Sequence, residues 1–451
     1  MPCKEGSVKN AVIAQSGGPT AVINNSIRGA VDVLMASGKV GKIYGARMGI
    51  LGALREEFID ITAQKPSQIA RLAKTPSAGV FGSCRYKIKS SEDLERIVEV
   101  FRRHDVGYFF YCGGNDSMDT ADRVDKLAKE RGLDLVCEGI VKTIDNDVGG
   151  PLQADGSFAV CDHNPGYGSA ARSTALNILE ANEENKASWT SDPVLVIGVM
   201  GRKIGFIAAS ARLADPKRHM PLVIVLPEAF GGTPPEENLA FLADRVNDTL
   251  SQAGRCIVVI SEGVNLGDLD ILRDSFGHEQ FSAAGLSVEQ VLTNYLNGLD
   301  RKDGSGRARS RLVVRGIARC ERPGTRQRRE SLSVSRTDLE EAYRVGAYAA
   351  ESALAGESGC MSTILRVPGS SYEVRYDRVP LSLVANAERN FPKEWIAENR
   401  VDVTDEFVRW GTPLLGGPLP RFARFRDVRA EKRCGEYLPA GWREERRHDA
   451  T

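Results

Sequence analysis

Tyr111-Cys112-Gly113-Gly114-Asn115-Asp116-Ser117-Met118-Asp119-Thr120 and, further on, Val141-Lys142-Thr143-Ile144-Asp145-Asn146-Asp147 are the two stretches around which this chain is organised. In the first, an aromatic run gives way to a glycine pair opening towards a helix. That arrangement bares backbone amides and the positive end of a helix dipole to phosphate. In the second, an apolar run ends in a lysine, a hydroxyl and two carboxylates one residue apart. A solvated turn accounts for two acids alone. Acids, a lysine and a threonine together at the end of a strand point to a chemical site. A phosphate cradle beside paired carboxylates is the equipment of phosphoryl transfer.

Outward from these stretches the chain alternates. Val106–Tyr111 is continuously apolar and aromatic, as a buried parallel strand should be, and an amphipathic helix precedes it over 92–104. A helix is expected over 117–130 and a strand over 133–141. Nearer the N-terminus, Val12-Ile13-Ala14 runs into Gly17-Gly18, and helical spacing follows from Ala21 to Val31. Residues 42–54 read as a strand and a glycine-punctuated loop, and Gly79–Arg85 as a small-residue loop whose arginine can reach an anion. His163–Arg172 opens a helix reaching to about Glu180, with 181–192 as a polar surface connection. Strands at 194–199, 222–226 and 256–260 end in Met200-Gly201-Arg202, Pro227-Glu228 and Ser261-Glu262-Gly263. A helix follows Arg202, and another spans 337–356. Polar groups collect at the carboxyl ends of successive strands, where open α/β sheets bind ligands. The expected fold is α/β, with two Rossmann-like parallel-sheet lobes and the active site in the cleft between them. No fixed-period repeat is present.

The 451 residues suit two lobes better than one small core. Lysine plus arginine and aspartate plus glutamate each count 60, so no global field favours nucleic acid or an anionic membrane. Ten arginines between 301 and 329 form a local basic run that suggests a subunit contact or a phosphorylated ligand. The nine cysteines show no CxxC spacing and read as reduced thiols. With no apolar leader and no 18-residue apolar window, a cytoplasmic protein without membrane partners is expected.

Taken in order, GGPTAVIN (17–24), GSCR (82–85), GGNDS (113–117), KTIDND (142–147), PGYGSA (165–170), MGR (200–202) and PE (227–228) resemble the phosphofructokinase family, and within it the pyrophosphate-dependent branch. The resemblance covers roughly residues 10–420 and includes VANAERNFPKEWI (384–396). It implies reversible transfer of a phosphoryl group from pyrophosphate to the 1-hydroxyl of fructose 6-phosphate, in glycolysis or gluconeogenesis, with Mg²⁺ as cofactor. By the same resemblance Asp145 is the general base, with Lys142 and Asp147 beside it. Thr143, Met200, Gly201, Arg202 and Glu228 meet the sugar phosphate. Gly18, Arg85, Gly114, Asp116, Ser117 and Lys142 meet the donor. Asp116 and Asn115 face the metal, Asn115 standing where relatives carry aspartate.

Two positions bear on the donor. ATP-using relatives have glycine at the places of Asp116 and Lys142, leaving room for an α-phosphate. Here a carboxylate crowds and repels that phosphate, and a cation suits the pyrophosphate charge. A Gly-x-x-Gln-Arg motif is expected near 315–335. Arg319 takes the place of its arginine, with Ala318 where the glutamine would stand and Pro323–Glu330 departing from the pattern. An arginine reaching across a subunit interface is placed at Arg309, with Arg311 the alternative in register, which implies a homodimer or homotetramer. Residues 9–156 plus about 317–365 are assigned to a donor-binding lobe and 157–316 plus about 366–420 to a sugar-phosphate-binding lobe. Residues 421–451 form a charged tail. An ATP-dependent enzyme, a kinase for another sugar phosphate such as sedoheptulose 7-phosphate, and a weakened regulatory sugar-phosphate-binding relative are the competing possibilities.

Overall fold

The aromatic run before Gly113 is the central strand of a seven-stranded sheet in the computed structural model, which describes residues 8–437 apart from 270, 274–278, 303, 305, 386, 427 and 436. In chain order, β1 (Asn10–Gln15), β2 (Ile43–Ala46), β3 (Phe58–Asp60), β4 (Val106–Gly113) and β5 (Val136–Val141) build most of this first sheet. A second sheet takes β6 (Val194–Val199), β7 (Leu222–Val225) and β8 (Cys256–Ser261). The two-residue strands β9 (Leu272–Arg273) and β10 (Glu279–Gln280) pair antiparallel with each other. β11 (Ala318–Glu321) then joins the second sheet, and β12 (Cys360–Arg366) and β13 (Val374–Pro380) return to the first.

The first sheet runs β13-β12-β5-β4-β1-β2-β3, and the second β11-β6-β8-β7. The second is parallel throughout. The first is parallel except at its two edges, where β3 and β13 run antiparallel. The inner strands are covered on both faces, which is why they read as unbroken apolar runs rather than alternating ones. This is the expected two-sheet α/β architecture.

Two lobe boundaries differ from the sequence assignment. Arg319 and its neighbours in β11 register in parallel against Val194–Ile197 of β6, so 318–321 belong to the second sheet and not the first. β13 pairs with the whole length of β12 through a short turn, so 374–380 stay in the first sheet. The C-terminal assignment for 421–451 lies mostly outside the described residues.

Local causes are visible in several helices. Ser90 caps the helix Ser91–Arg103 by accepting from the Asp93 N–H at 3.1 Å, and Leu94, Ile97, Val98 and Phe101 bury its apolar stripe. The helix Ile23–Ser37 crosses Arg336–Leu354 at close range. A Cβ on Gly29 would strike the Tyr343 carbonyl, and one on Gly346 the Ser26 carbonyl, so only glycine permits the approach. The polar run after Glu180 is not a surface connection, because the helix Tyr167–Ser188 continues through it. Asn182 and Asn185 are buried there, and each accepts a hydrogen bond from Arg255 at 3.0 Å. Polar composition mimics a loop, while hydrogen bonding makes these amides interior residues. Residues 50–55, expected as loop, form a short helix.

Beyond the second sheet, Phe391, Trp395, Phe407 and Trp410 join Phe158, Tyr167 and Phe206 in one aromatic cluster, so the 384–396 segment is anchored in the second core. No helix among the described residues is long and apolar enough to cross a membrane. The cysteines among the described residues are free thiols.

Candidate active site

The adjacent pairing of β4 and β5 brings the two defining stretches together, with the Lys142 N–H donating to the Gly113 carbonyl at 3.0 Å. β1 lies on the other side of β4, so the Gly17-Gly18 turn arrives beside them. The Gly17 N–H donates to the Cys84 carbonyl at 2.9 Å and the Ser83 hydroxyl to the Gly17 carbonyl at 2.7 Å, which ties the Arg85 loop to this turn. The carboxyl end of β6 contributes Met200 and Arg202, and that of β8 contributes Glu262. Together these ends line a cavity of about 480 Å³.

Of the residues expected from sequence, Gly18, Arg85, Gly114, Asn115, Asp116, Ser117, Lys142, Thr143, Asp145, Asp147, Met200 and Arg202 all line this cavity. Gly114 precedes the helix Asn115–Glu130, so Asn115 and Asp116 occupy its first turn. The Asn115 side-chain carbonyl is buried without a hydrogen-bond partner, while Asp116 pairs with Lys87 at 3.0 Å. A Cβ on Gly113 would collide with the Ser117 side chain, so glycine here lets the helix close onto the strand.

Lys142 is buried, and its ammonium donates to the carbonyls of Ser16 at 2.8 Å and Gly18 at 2.6 Å. Burial lowers its pKa to about 8. Arg202 approaches from the second lobe with φ +51° and about half of its side chain exposed. It donates to Asp145 at 3.1 Å and Asp147 at 2.7 Å. Burial raises the Asp145 pKa, partly offset by Arg202, and Asp145 in turn holds the Arg202 guanidinium firmly charged. Asn146, between the two acids, is left-handed at φ +59°. The Thr143 hydroxyl accepts from the Asp145 N–H at 3.1 Å, which steadies the same turn.

Four expected residues stand elsewhere. Arg319 is exposed and pairs with Asp192 at 3.0 Å, away from this chain's cavity. The Gly-x-x-Gln-Arg pattern lies instead at Gly324–Arg328, nine residues beyond the position assigned to its arginine. Gln327 accepts from the Met200 N–H at 2.9 Å and donates to Thr174 at 3.1 Å, so it fixes the end of β6. Arg328 lines the cavity, where its guanidinium would lie 3.4 Å from a Cβ on Gly18, with that of Arg85 at 4.0 Å. Two guanidiniums over a glycine turn make an anion seat, and burial and Arg85 together depress the Arg328 pKa. Arg309 is exposed and off the cavity. Glu228 is half-buried and also off it. Its carboxylate accepts from the Gly205 N–H at 3.0 Å and the Phe391 N–H at 2.9 Å, so it braces backbone. Gly201, at φ +130°, shapes the turn before Arg202 without lining the cavity.

Glu262 was visible in sequence only as a strand-end acid. It accepts from the Arg202 N–H at 3.1 Å, and burial raises its pKa to about 7. Lys87 also reaches the cavity without any motif to announce it, and Glu388 reaches it from the 384–396 stretch.

The chemistry available is a base flanked by two cations, facing an anion seat and a helix N-terminus. A family model described as phosphofructokinase matches residues 10–310. The pyrophosphate–fructose 6-phosphate 1-phosphotransferase of Halomonas elongata is 35% identical, over 95% of this chain and 99% of its own length. The protein of that name from Xanthomonas campestris is 37% identical, over 96% and 98%. A crystal structure of pyrophosphate-dependent phosphofructokinase from Nitrosospira multiformis superposes with a TM-score of 0.77 at 35% identity, over 94% of this chain and 95% of that one. Matched over most of its length by the family model and nearly end to end by these relatives, the chain belongs to the phosphofructokinase family.

Proposed function

We propose that the chain reversibly transfers a phosphoryl group from pyrophosphate to the 1-hydroxyl of fructose 6-phosphate, giving fructose 1,6-bisphosphate and phosphate. The observation that carries this is the pairing, in one cavity, of Asp145 with two cations of different origin beside the acid Asp116. The names of the relatives point to the same donor and acceptor.

In the forward direction the Asp145 carboxylate accepts the proton of the 1-hydroxyl as that oxygen bonds to phosphorus. The bridging P–O bond breaks and phosphate leaves. Arg202 stabilises charge on the moving phosphoryl group, while Lys142, anchored to the Ser16 and Gly18 carbonyls, faces the donor. Arg85 and Arg328 give further anion contacts over Gly18. Asp116 takes up, with a negative charge, space that an α-phosphate would need.

The donor set fits Mg²⁺, which accepts a few protein oxygens and keeps substrate oxygens and water as its other ligands. The buried, unpartnered Asn115 oxygen and the adjacent Asp116 carboxylate are the groups that would hold it. When bound, it would offset diphosphate charge. Arg319 and Arg309, exposed and off this chain's cavity, would contact acceptor only from a second copy in a homodimer or homotetramer. A cytoplasmic location belongs to the same proposal.

The test is to supply purified protein with pyrophosphate, fructose 6-phosphate and Mg²⁺. Fructose 1,6-bisphosphate and phosphate should appear in equal amounts, and the mixture should run backwards from those products. No turnover in either direction would reject the proposal.

A further inference from the structure

The segment 384–396 carries Arg389, which is 3% exposed and takes no part in the steps above. Its guanidinium lies beneath the turn that bears both active carboxylates. Arg389 Nε donates to the Asn146 carbonyl at 3.0 Å, and the Arg389 backbone N–H donates to the Asp147 carbonyl at 2.8 Å. A third contact, from Nη1, goes to the Cys161 carbonyl, and the Asp162 carbonyl accepts from the same nitrogen at 3.2 Å. The ring of Phe158 covers the guanidinium at 4.3 Å and that of Phe206 at 5.4 Å.

A buried cation ordinarily takes a carboxylate partner. The nearby acid Asp162 is already engaged by His163 at 2.8 Å, by Arg366 at 3.1 Å and by Trp410 at 3.2 Å. Arg389 is held instead by carbonyl dipoles and aromatic faces. Desolvating a guanidinium on such terms is expensive, and aliphatic residues fill such space more cheaply. What the arginine supplies that they cannot is side-chain donors aimed at the carbonyls of Asn146, Cys161 and Asp162.

The first of these carbonyls belongs to the turn that carries both acids, and the other two to the segment that packs against it. Asn146 is left-handed, a conformation that a non-glycine residue keeps only where its surroundings hold it. Asn164 grips the same turn. Its N–H donates to the Asn146 side chain at 2.9 Å, and its amide exchanges hydrogen bonds with Val148 at 3.1 Å and 2.8 Å. Gly149 leaves room for the guanidinium, since a Cβ there would lie 3.0 Å from Nη1. The carboxylates therefore pair with Arg202 while their backbone is fastened to Arg389.

We propose that Arg389 is a positioning residue for the transfer: from beneath the turn, its guanidinium and backbone amide hold Asn146 left-handed and so fix the aim of Asp145 and Asp147. This rests on the phosphotransferase function proposed above.

The experiment compares the parent with Arg389→Lys and Arg389→Met, reading kcat, both KM values and the thermal midpoint. For Arg389→Met, kcat should fall on the order of 10²-fold with both KM values within about threefold, as misaimed reacting groups predict. Arg389→Lys, which keeps a donor and a charge, should recover roughly tenfold of that loss. If Arg389→Met fails to fold, Arg389→Lys alone decides, with kcat expected about tenfold below the parent at unchanged KM. The proposal is overturned if a folded variant keeps parental kcat, if the loss lies in KM, or if lysine does no better than methionine. It is equally overturned if neither variant folds, because Arg389 is then a pillar of the fold. An inactive parent would instead reject the phosphotransferase function, which separates the two failures.

Discussion

Lys142 and Arg202 flank the same pair of carboxylates, yet the two lobes hold them in opposite ways. Lys142 rises from the end of a first-sheet strand, is buried, and gives its hydrogen bonds to the carbonyls of Ser16 and Gly18. Arg202 comes from the end of a second-sheet strand, is half-exposed, and gives its hydrogen bonds to Asp145 and Asp147. One cation has its position set by backbone and its charge uncompensated by a hydrogen-bonded acid. The other is neutralised by the very groups it must leave free when substrate arrives. Lys142 is thus preorganised by the first lobe alone, whereas Arg202 depends on an ion pair that crosses between lobes. Preorganised charge in a dry site stabilises a transition state without reorganisation, and an exchangeable pair can couple acceptor binding to freeing the base.

The largest effect should come from the carboxylate that both cations share. Asp145→Ala should lower kcat by about 10²–10⁴-fold with the thermal midpoint retained, as expected for removal of a general base. Near-parental turnover would take Asp145 out of that role and the comparison would lose its centre.

Next comes Lys142→Met, which should reduce kcat/KM for pyrophosphate by roughly 10–150-fold, the worth of a charge-assisted contact of about 1.5–3 kcal/mol. This variant also tests the pH dependence. Burial lowers the Lys142 pKa to about 8, so the ammonium is charged below that pH and neutral above it. Parental kcat/KM should therefore decline as pH rises through about 8, and Lys142→Met should lose that limb. The raised Asp145 pKa works in the other direction. Its acid limb should lie above the ordinary carboxylate range, because the base must be ionised. An alkaline limb that survives in Lys142→Met would belong to some other group.

Arg328→Ala should raise a substrate KM by about tenfold or more for the same electrostatic reason, with a smaller change in kcat. An unchanged KM would remove the anion seat over Gly18. Smallest in activity is Glu228→Ala, which leaves the Gly205 and Phe391 N–H groups buried without an acceptor. It should lower stability by about 1–3 kcal/mol per unsatisfied group while KM stays within about twofold. A large rise in KM at unchanged stability would restore Glu228 to the substrate contacts.

The sequence was most legible where chemistry and backbone coincide. Gly113-Gly114 and the acids after Val141 carry their meaning in spacing, because adjacent parallel strands place their carboxyl ends side by side. Side-chain direction is a different matter. Glu228 and Glu262 look alike as acids at strand ends, but only Glu262 lines the cavity, while Glu228 turns inward to backbone amides. Arg328 was hidden among ten arginines of the same composition. What marks it is the glutamine before it, which fastens the end of β6. Asn182 and Asn185 read as loop because burial of an amide depends on a distant partner, Arg255. The edge strands β11 and β13 changed lobes because pairing is set by tertiary contact, which no periodicity records. Arg389 lies in the quoted 384–396 stretch, but its role gave no signal, since its partners are carbonyls that every residue possesses.

The central claim is that Asp116 and Lys142 choose the donor. The measurement is the ratio of kcat/KM with pyrophosphate to kcat/KM with ATP, taken for the parent and for the Asp116→Gly, Lys142→Gly double variant. The parent ratio should exceed about 10², and the double variant should lower it by at least roughly tenfold, as removal of one repulsive and one attractive charge predicts. A parent that turns over ATP as fast as pyrophosphate, or a ratio unmoved by the double variant, would contradict it.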